Sequence, residues 1–147
     1  EGAVANPSIL ANGGYEIFNH REAMRITDSR PKSKISLGLN YTINKFDMSL
    51  NNTRFGEVTV AGETATDDQV HSSKVVSDLA FGYDFTDKFR ISFTANNLFD
   101  VYPDILNNGT NGNPDLRSAG GRFKYSSEVT QMGQLGTNFL LKFAMKF

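Results

Sequence analysis

Cysteine is absent from this chain of 147 residues. Disulfides and thiolate metal sites are therefore excluded, and the redox compartment stays open. Tryptophan is absent too, and histidine occurs only as His20 and His71. Two isolated imidazoles are too few to suggest a metal site. No run of about 18 apolar residues occurs, which excludes a transmembrane helix. No basic segment with an apolar core follows Glu1, so a signal peptide is not expected in this stretch. A formal net charge of −1 leaves no broad basic surface for nucleic acid. The length has room for one domain.

Phenylalanine (12), tyrosine (5) and glycine (13) are plentiful in a chain that is only 39% hydrophobic. A transmembrane β-barrel has this mixture, because half of each strand faces a polar lumen and the loops are polar. A soluble β-sandwich has it too, so composition leaves both open.

Periodicity carries more. In Phe89 to Tyr102, FRISFTANNLFDVY, residues Phe89, Ile91, Phe93, Ala95, Asn97, Phe99 and Val101 alternate with Arg90, Ser92, Thr94, Asn96, Leu98 and Asp100. Strand side chains alternate between faces, so one long strand with an oily and a mainly polar side is expected. Ile35 to Ile43 alternates in the same way, and Phe46, Met48 and Leu50 resume the pattern after Asn44-Lys45. Near Asn52 to Phe55 the alternation slips, which suggests a bulge or the edge of the apolar band. Val75, Ser77, Leu79, Phe81, Tyr83 and Phe85 form a third run, and Gly136 to Phe147 the last. Residues 1–34 read as an irregular loop with at most a helical turn over Phe18 to Ile26, stopped at Arg30-Pro31. Residues 61–73 and 104–134 read as polar loops.

The fold class expected is all-β, with five antiparallel strands over residues 35–147. Their connections alternate short, long, short, long. In outer-membrane barrels the periplasmic turns are short and the extracellular loops long. Asn44-Lys45 and Thr86-Asp87-Lys88 would then be periplasmic, and residues 1–34, 61–73 and 104–134 extracellular. Tyr41, Phe46, Tyr83, Phe85, Phe89 and Phe147 all fall at the periplasmic ends, where an interface girdle is expected. Asp78, Asp84, Arg90, Asn96, Asp100 and Lys142 fall on the other, lumen-facing side, with Lys146 beyond them. Five strands cannot close a barrel of this class, and lipid tolerates no open sheet edge. The expectation is the C-terminal part of a larger barrel.

Ser77 to Phe89 (SDLAFGYDFTDKF), Ile91 to Pro103 (ISFTANNLFDVYP) and the aromatic-ended NFLLKFAMKF resemble the C-terminus of TonB-dependent outer-membrane receptors. NNLFDVYP is the strongest cue. Arg30 to Gly56 and Gly121 to Ser126 (GRFKYS) are also similar to this family, particularly to receptors of Bacteroidetes-like bacteria. The resemblance covers about residues 15–147. It implies a barrel of about 22 strands with a plug domain in its lumen. It further implies import of a scarce nutrient such as a ferric siderophore, haem, cobalamin, a glycan or a peptide. Energy would come through the TonB complex, which contacts a TonB box near the receptor's N-terminus. Neither the plug nor that box lies within these residues. The implied partners are the rest of the receptor, the TonB complex, the lipid bilayer and, in some systems, a surface lipoprotein. Phe147 resembles the terminal aromatic signal read by the outer-membrane assembly machinery.

No catalytic constellation is visible, so no enzyme activity or cofactor is expected. His71, in HSS, and His20, in NHRE, read as solvated loop residues. Scattered acidic residues do not form a calcium loop. For substrate contact the sequence offers Arg122, Phe123 and Tyr125, with Lys124 between them, since Arg and Tyr suit an anionic or aromatic ligand. The other reading of GRFKYS is a motif that shapes its loop. Two further functions remain open at this level. One is a soluble β-sheet module binding a small molecule. The other is an outer-membrane barrel for adhesion or partner binding.

Overall fold

A computed structural model describes residues 19–62, 64–107, 123–127 and 131–147. The alternating runs are strands: β1 (Lys34–Ile43), β2 (Phe46–Phe55), β5 (Lys74–Thr86), β6 (Phe89–Asn96) and β7 (Asn138–Met145). They form one five-stranded sheet in the order β1-β2-β5-β6-β7, with every pair antiparallel. Between β2 and β5 a second, two-stranded sheet pairs β3 (Val58–Val60) with β4 (Gln69–His71). Helix α1 (His20–Thr27) precedes the sheet. Its N-cap is Asn19, whose side chain accepts from the Glu22 backbone N–H at 2.9 Å.

Turn chemistry sets the short connections. Asn44 adopts a positive φ of 50°, which asparagine tolerates, and so joins β1 to β2 in two residues. Asp87-Lys88 joins β5 to β6, with a register shift between Asp84 and Thr86 that marks a bulge.

The register aligns the oily positions across all five strands. Tyr41 pairs with Met48, Met48 with Phe81, Phe81 with Phe93, and Phe93 with Leu141. One row nearer the loops lie Leu39, Leu50, Leu79, Ala95 and Phe139. On the opposite face, rows of Asn40, Ser49, Ala80, Thr94 and Leu140, and of Thr42, Asp47, Gly82 and Ser92, are polar or small apart from Leu140. A one-residue slip in any strand would exchange its faces, so this agreement specifies the pairing strongly. Ring contacts reinforce it: Phe81 and Phe93 lie 5.1 Å apart, and Phe93 and Phe139 5.6 Å.

That oily face is bare. Leu37 is 71% exposed and Phe143 61%, while Ala95, at 0%, is the only buried apolar residue of the large sheet. The buried apolar cluster lies elsewhere, at the end where the long loops leave: Val58, Val60 and Leu106. No helix among the described residues is long and apolar enough to cross a membrane.

Four expectations need correction. The strand from Phe89 does not reach Tyr102; it stops at Asn96, because Asn97 turns the chain at φ 52°. The slip at Asn52 to Phe55 is no bulge, since β2 stays in register with both neighbours to Phe55. Its side chains change from oily to polar while the backbone ladder continues. Residues 61–73 are not simply a loop; they hold a 3₁₀ turn at Ala65–Asp67 and strand β4, which pairs with β3. The last strand is shorter than Gly136 to Phe147, running Asn138–Met145.

Candidate functional site

The sheet places most of the expected lumen-facing residues together. Asp78, Asp84, Arg90, Asn96 and Lys142 share the polar face. Near the short turns, Arg90 donates to Asp84 at 3.0 Å from Nη1 and to Asp47 from Nη2. This joins β2, β5 and β6 across the sheet. Gly82 leaves room for it: a Cβ there would strike the guanidinium. Asp47 was not among the residues the sequence pointed to. Only the register brings it to Arg90, across 43 residues.

Asp100 departs from the expectation. It lies beyond the strand, at a φ of 56°, and does not project from the polar face as a strand residue. Its Oδ1 accepts the Thr137 backbone N–H at 2.9 Å, at the entry to β7. That bond leads the interactions holding the Asp100 carboxyl below its usual range, with the Tyr102 hydroxyl adding to it. Asn97, buried at 6% exposure, bonds both backbone groups of Val101: Nδ2 donates to its carbonyl at 2.8 Å, and Oδ1 accepts its N–H at 2.9 Å. Asp78 accepts the Asn97 N–H at 2.8 Å, and Thr137 Oγ1 donates to the Asn97 carbonyl at 2.6 Å. NNLFDVY is therefore a latch that ends β6 and receives β7.

The expected girdle residues lie on the oily face at the turn end. Phe46 pairs with Tyr83, Tyr83 meets Phe85 edge-on at 4.8 Å, and Phe85 lies 5.8 Å from Phe89. Tyr41 is one row further in, opposite Met48. Phe147 follows β7 and is fully exposed.

The substrate-contact residues are divided. Arg122 lies outside the described residues. Phe123 is exposed. Tyr125 is half-buried and stacks on Tyr102 at 5.8 Å with the rings nearly parallel, and the Lys124 ammonium lies over the Tyr125 ring at 5.4 Å from its centre. The Lys124 carbonyl accepts from Leu106 N–H at 3.1 Å, and the Ser126 carbonyl from Gln134 at 2.7 Å. These contacts favour the loop-shaping account of FKYS.

The long-loop end is knitted by side chains reaching backbone. Gln131, buried, donates to the carbonyls of Gly56 (2.5 Å) and Ser72 (3.0 Å). Asp104 accepts from Lys74 at 2.5 Å and from the Ser72 N–H and hydroxyl at 2.6 and 2.8 Å. Burial works against ionisation of Asp104, but the bonds from Lys74 and Ser72 outweigh it and hold the carboxyl at about 2. A carboxyl depressed in the folded state stabilises fully above its ordinary pKa and loses that contribution as pH falls through its folded value. The junction of β4, β5 and residue 104 is thus expected to loosen between about pH 4 and pH 2. Hydrogen exchange at Ser72 and Lys74 reads this. Asp104→Asn should give fast exchange at pH 6 and erase the acid step; an unchanged profile in that variant would refute the assignment.

Both histidines differ from the solvated residues expected. His20 Nε2 lies 3.0 Å from the Asp68 carboxylate, tying α1 to the 3₁₀ turn. His71 is the last residue of β4, paired with Val58 of β3, and is buried. Among the described residues no three His, Asp or Glu side chains gather as a metal site. No family model matches the chain, and no curated protein or solved structure matches it significantly.

Proposed function

We propose that this chain is the C-terminal part of an outer-membrane β-barrel that imports a scarce nutrient in the manner of TonB-dependent receptors. One observation carries the membrane half of this reading. Five strands share a continuous exposed apolar face, while the opposite face is polar and holds the Asp47–Arg90–Asp84 network. In water a face of this size is an aggregation surface, whereas lipid covers it without cost. The dimensions fit. Ten residues in β1 and in β2 span about 33 Å at ~3.3 Å each, or about 25 Å at a tilt near 40°, which matches a barrel's apolar band. Short turns at one end and knitted loops at the other suit periplasmic and extracellular sides.

Among the described residues, β1 and β7 are the sheet edges and have no strand on their outer sides. Within a bilayer both must be paired by further strands, so the import function belongs to a larger assembly with a lumen and a plug. The choice of import over adhesion rests on the resemblance of the NNLFDVYP and GRFKYS segments, and the chemistry of the imported molecule would be set largely by that plug.

The test is fractionation of cells making the whole protein. The expected result is recovery from outer membranes only with detergent, with the remaining strands and plug in the same particle by intact mass. Uptake of ferric siderophore, haem or cobalamin should stop when the proton gradient is collapsed. Monodisperse recovery without detergent would overturn the membrane reading. Membrane recovery with gradient-independent behaviour towards every ligand offered would leave a barrel but overturn import.

A further inference from the structure

Tyr102 is engaged at both ends of its side chain. Its ring lies nearly parallel to that of Tyr125, with centres 5.8 Å apart. Its hydroxyl hydrogen-bonds Asp100, the carboxylate that accepts the Thr137 N–H at 2.9 Å. Gly136 lets these groups meet against the chain just before β7, since a Cβ there would strike both the Tyr102 hydroxyl and Asp100 Oδ1. The Tyr102 backbone has little freedom to follow its side chain. Asn97 holds both backbone groups of Val101, and Pro103, which is buried, confines the residue before it to extended conformations. A phenol has only two rotatable bonds, so a displaced ring carries its hydroxyl with it. Segment 123–127 has two other ties, from Leu106 N–H to the Lys124 carbonyl at 3.1 Å and from Gln134 to the Ser126 carbonyl at 2.7 Å. Neither of these involves Asp100 or Thr137.

We propose that Tyr102 is a mechanical link between segment 123–127 and the joint of β6 with β7, so that drawing Tyr125 off Tyr102 loosens the start of β7. The stack sets the position of the ring, the ring sets the hydroxyl, and the hydroxyl steadies the carboxylate that holds Thr137. Any group that displaced Tyr102 from Tyr125 is therefore felt at Thr137. The link is reciprocal: a fixed entry to β7 also holds the face that Tyr125 packs on. It makes the last strand of the sheet responsive to events on the long-loop end. The coupling belongs to the fold, so its failure would leave the outer-membrane reading standing.

The test is hydrogen exchange at Thr137 in the complete protein and in a double-mutant cycle. Tyr125→Ala is expected to speed that exchange about fivefold, the effect of losing one ring contact. Tyr102→Phe keeps the ring and removes the hydroxyl. It should speed exchange by itself, and adding Tyr125→Ala to it should change the rate by less than about twofold, because the link is already cut. Gly136→Ala, which forces the hydroxyl away, should likewise leave Thr137 insensitive to Tyr125→Ala. If Tyr125→Ala had no effect at Thr137, the proposal would be overturned. The same fivefold effect in the Tyr102→Phe background would overturn it too, and would route the coupling through Gln134 and Ser126. An equal rise at Leu50, in the middle of β2, would reveal a general loosening of the sheet in place of a local link.

Discussion

Arginine at Phe93 is expected to prevent stable insertion, while arginine at the adjacent Thr94 is tolerated. Phe93 occupies the middle of the oily face, between Phe81 and Leu141 in register and in ring contact with Phe81 and Phe139. Thr94 points the other way, opposite Ala80 and Leu140. In a bilayer, Phe93→Arg places a cation near the midplane at a cost of about 2–4 kcal/mol. It also removes two ring contacts worth about 1 kcal/mol each, for a total near 5 kcal/mol. Thr94→Arg meets water or polar protein and should cost under about 1 kcal/mol. Urea unfolding of the complete protein in liposomes measures both. The comparison discriminates because a water-exposed sheet makes the opposite demand: there Phe93→Arg would relieve an apolar patch at little cost. A variant at Phe93 as stable as the one at Thr94 would therefore refute the lipid-facing assignment.

The second large effect is expected at Asn97. Alanine there leaves the half-buried N–H and C=O of Val101 without their side-chain partner, at about 1–2 kcal/mol. It also forces a non-glycine residue with no local hydrogen bond to hold a φ of 52°, at about 1 kcal/mol or more. Asn97→Ala should cost about 3 kcal/mol, and Asn97→Gly, which accepts the positive φ, about 1 kcal/mol less. The loss should appear as faster exchange at Val101 and Thr137, because the Asn97 carbonyl also receives Thr137 Oγ1. If glycine proved worse than alanine, backbone conformation would not be part of the latch. If neither variant changed exchange at Thr137, the link from the end of β6 to the start of β7 would be refuted.

The faces were legible in the sequence because a strand's side-chain period is two and needs no long-range information. Ile35 to Ile43, Phe46 to Leu50 and Phe139 to Met145 carry their face assignment in their own alternation. The turn at Asn44 was legible for a similar reason, since its backbone preference is local. The strand ends were not. Asn97 continues the alternation from Phe89 as a pattern, yet its amide bonds Val101 and its carbonyl meets Thr137, and such side-chain-to-backbone bonds override propensity at the end of a strand. The same holds for FKYS. Its composition suited a ligand, but Tyr102 stacks on Tyr125 and Leu106 bonds Lys124.

Sequence alone thus determined that five amphipathic strands exist, which side of each is oily, and where the tight turns fall. Tertiary structure alone decided the partners: Asp47 with Arg90 across 43 residues, Gln131 with Gly56 across 75, and His20 with Asp68 across 48. Periodicity is a property of neighbouring residues, whereas these contacts depend on which strands pair and in what register, and no stretch of this chain contains that information by itself.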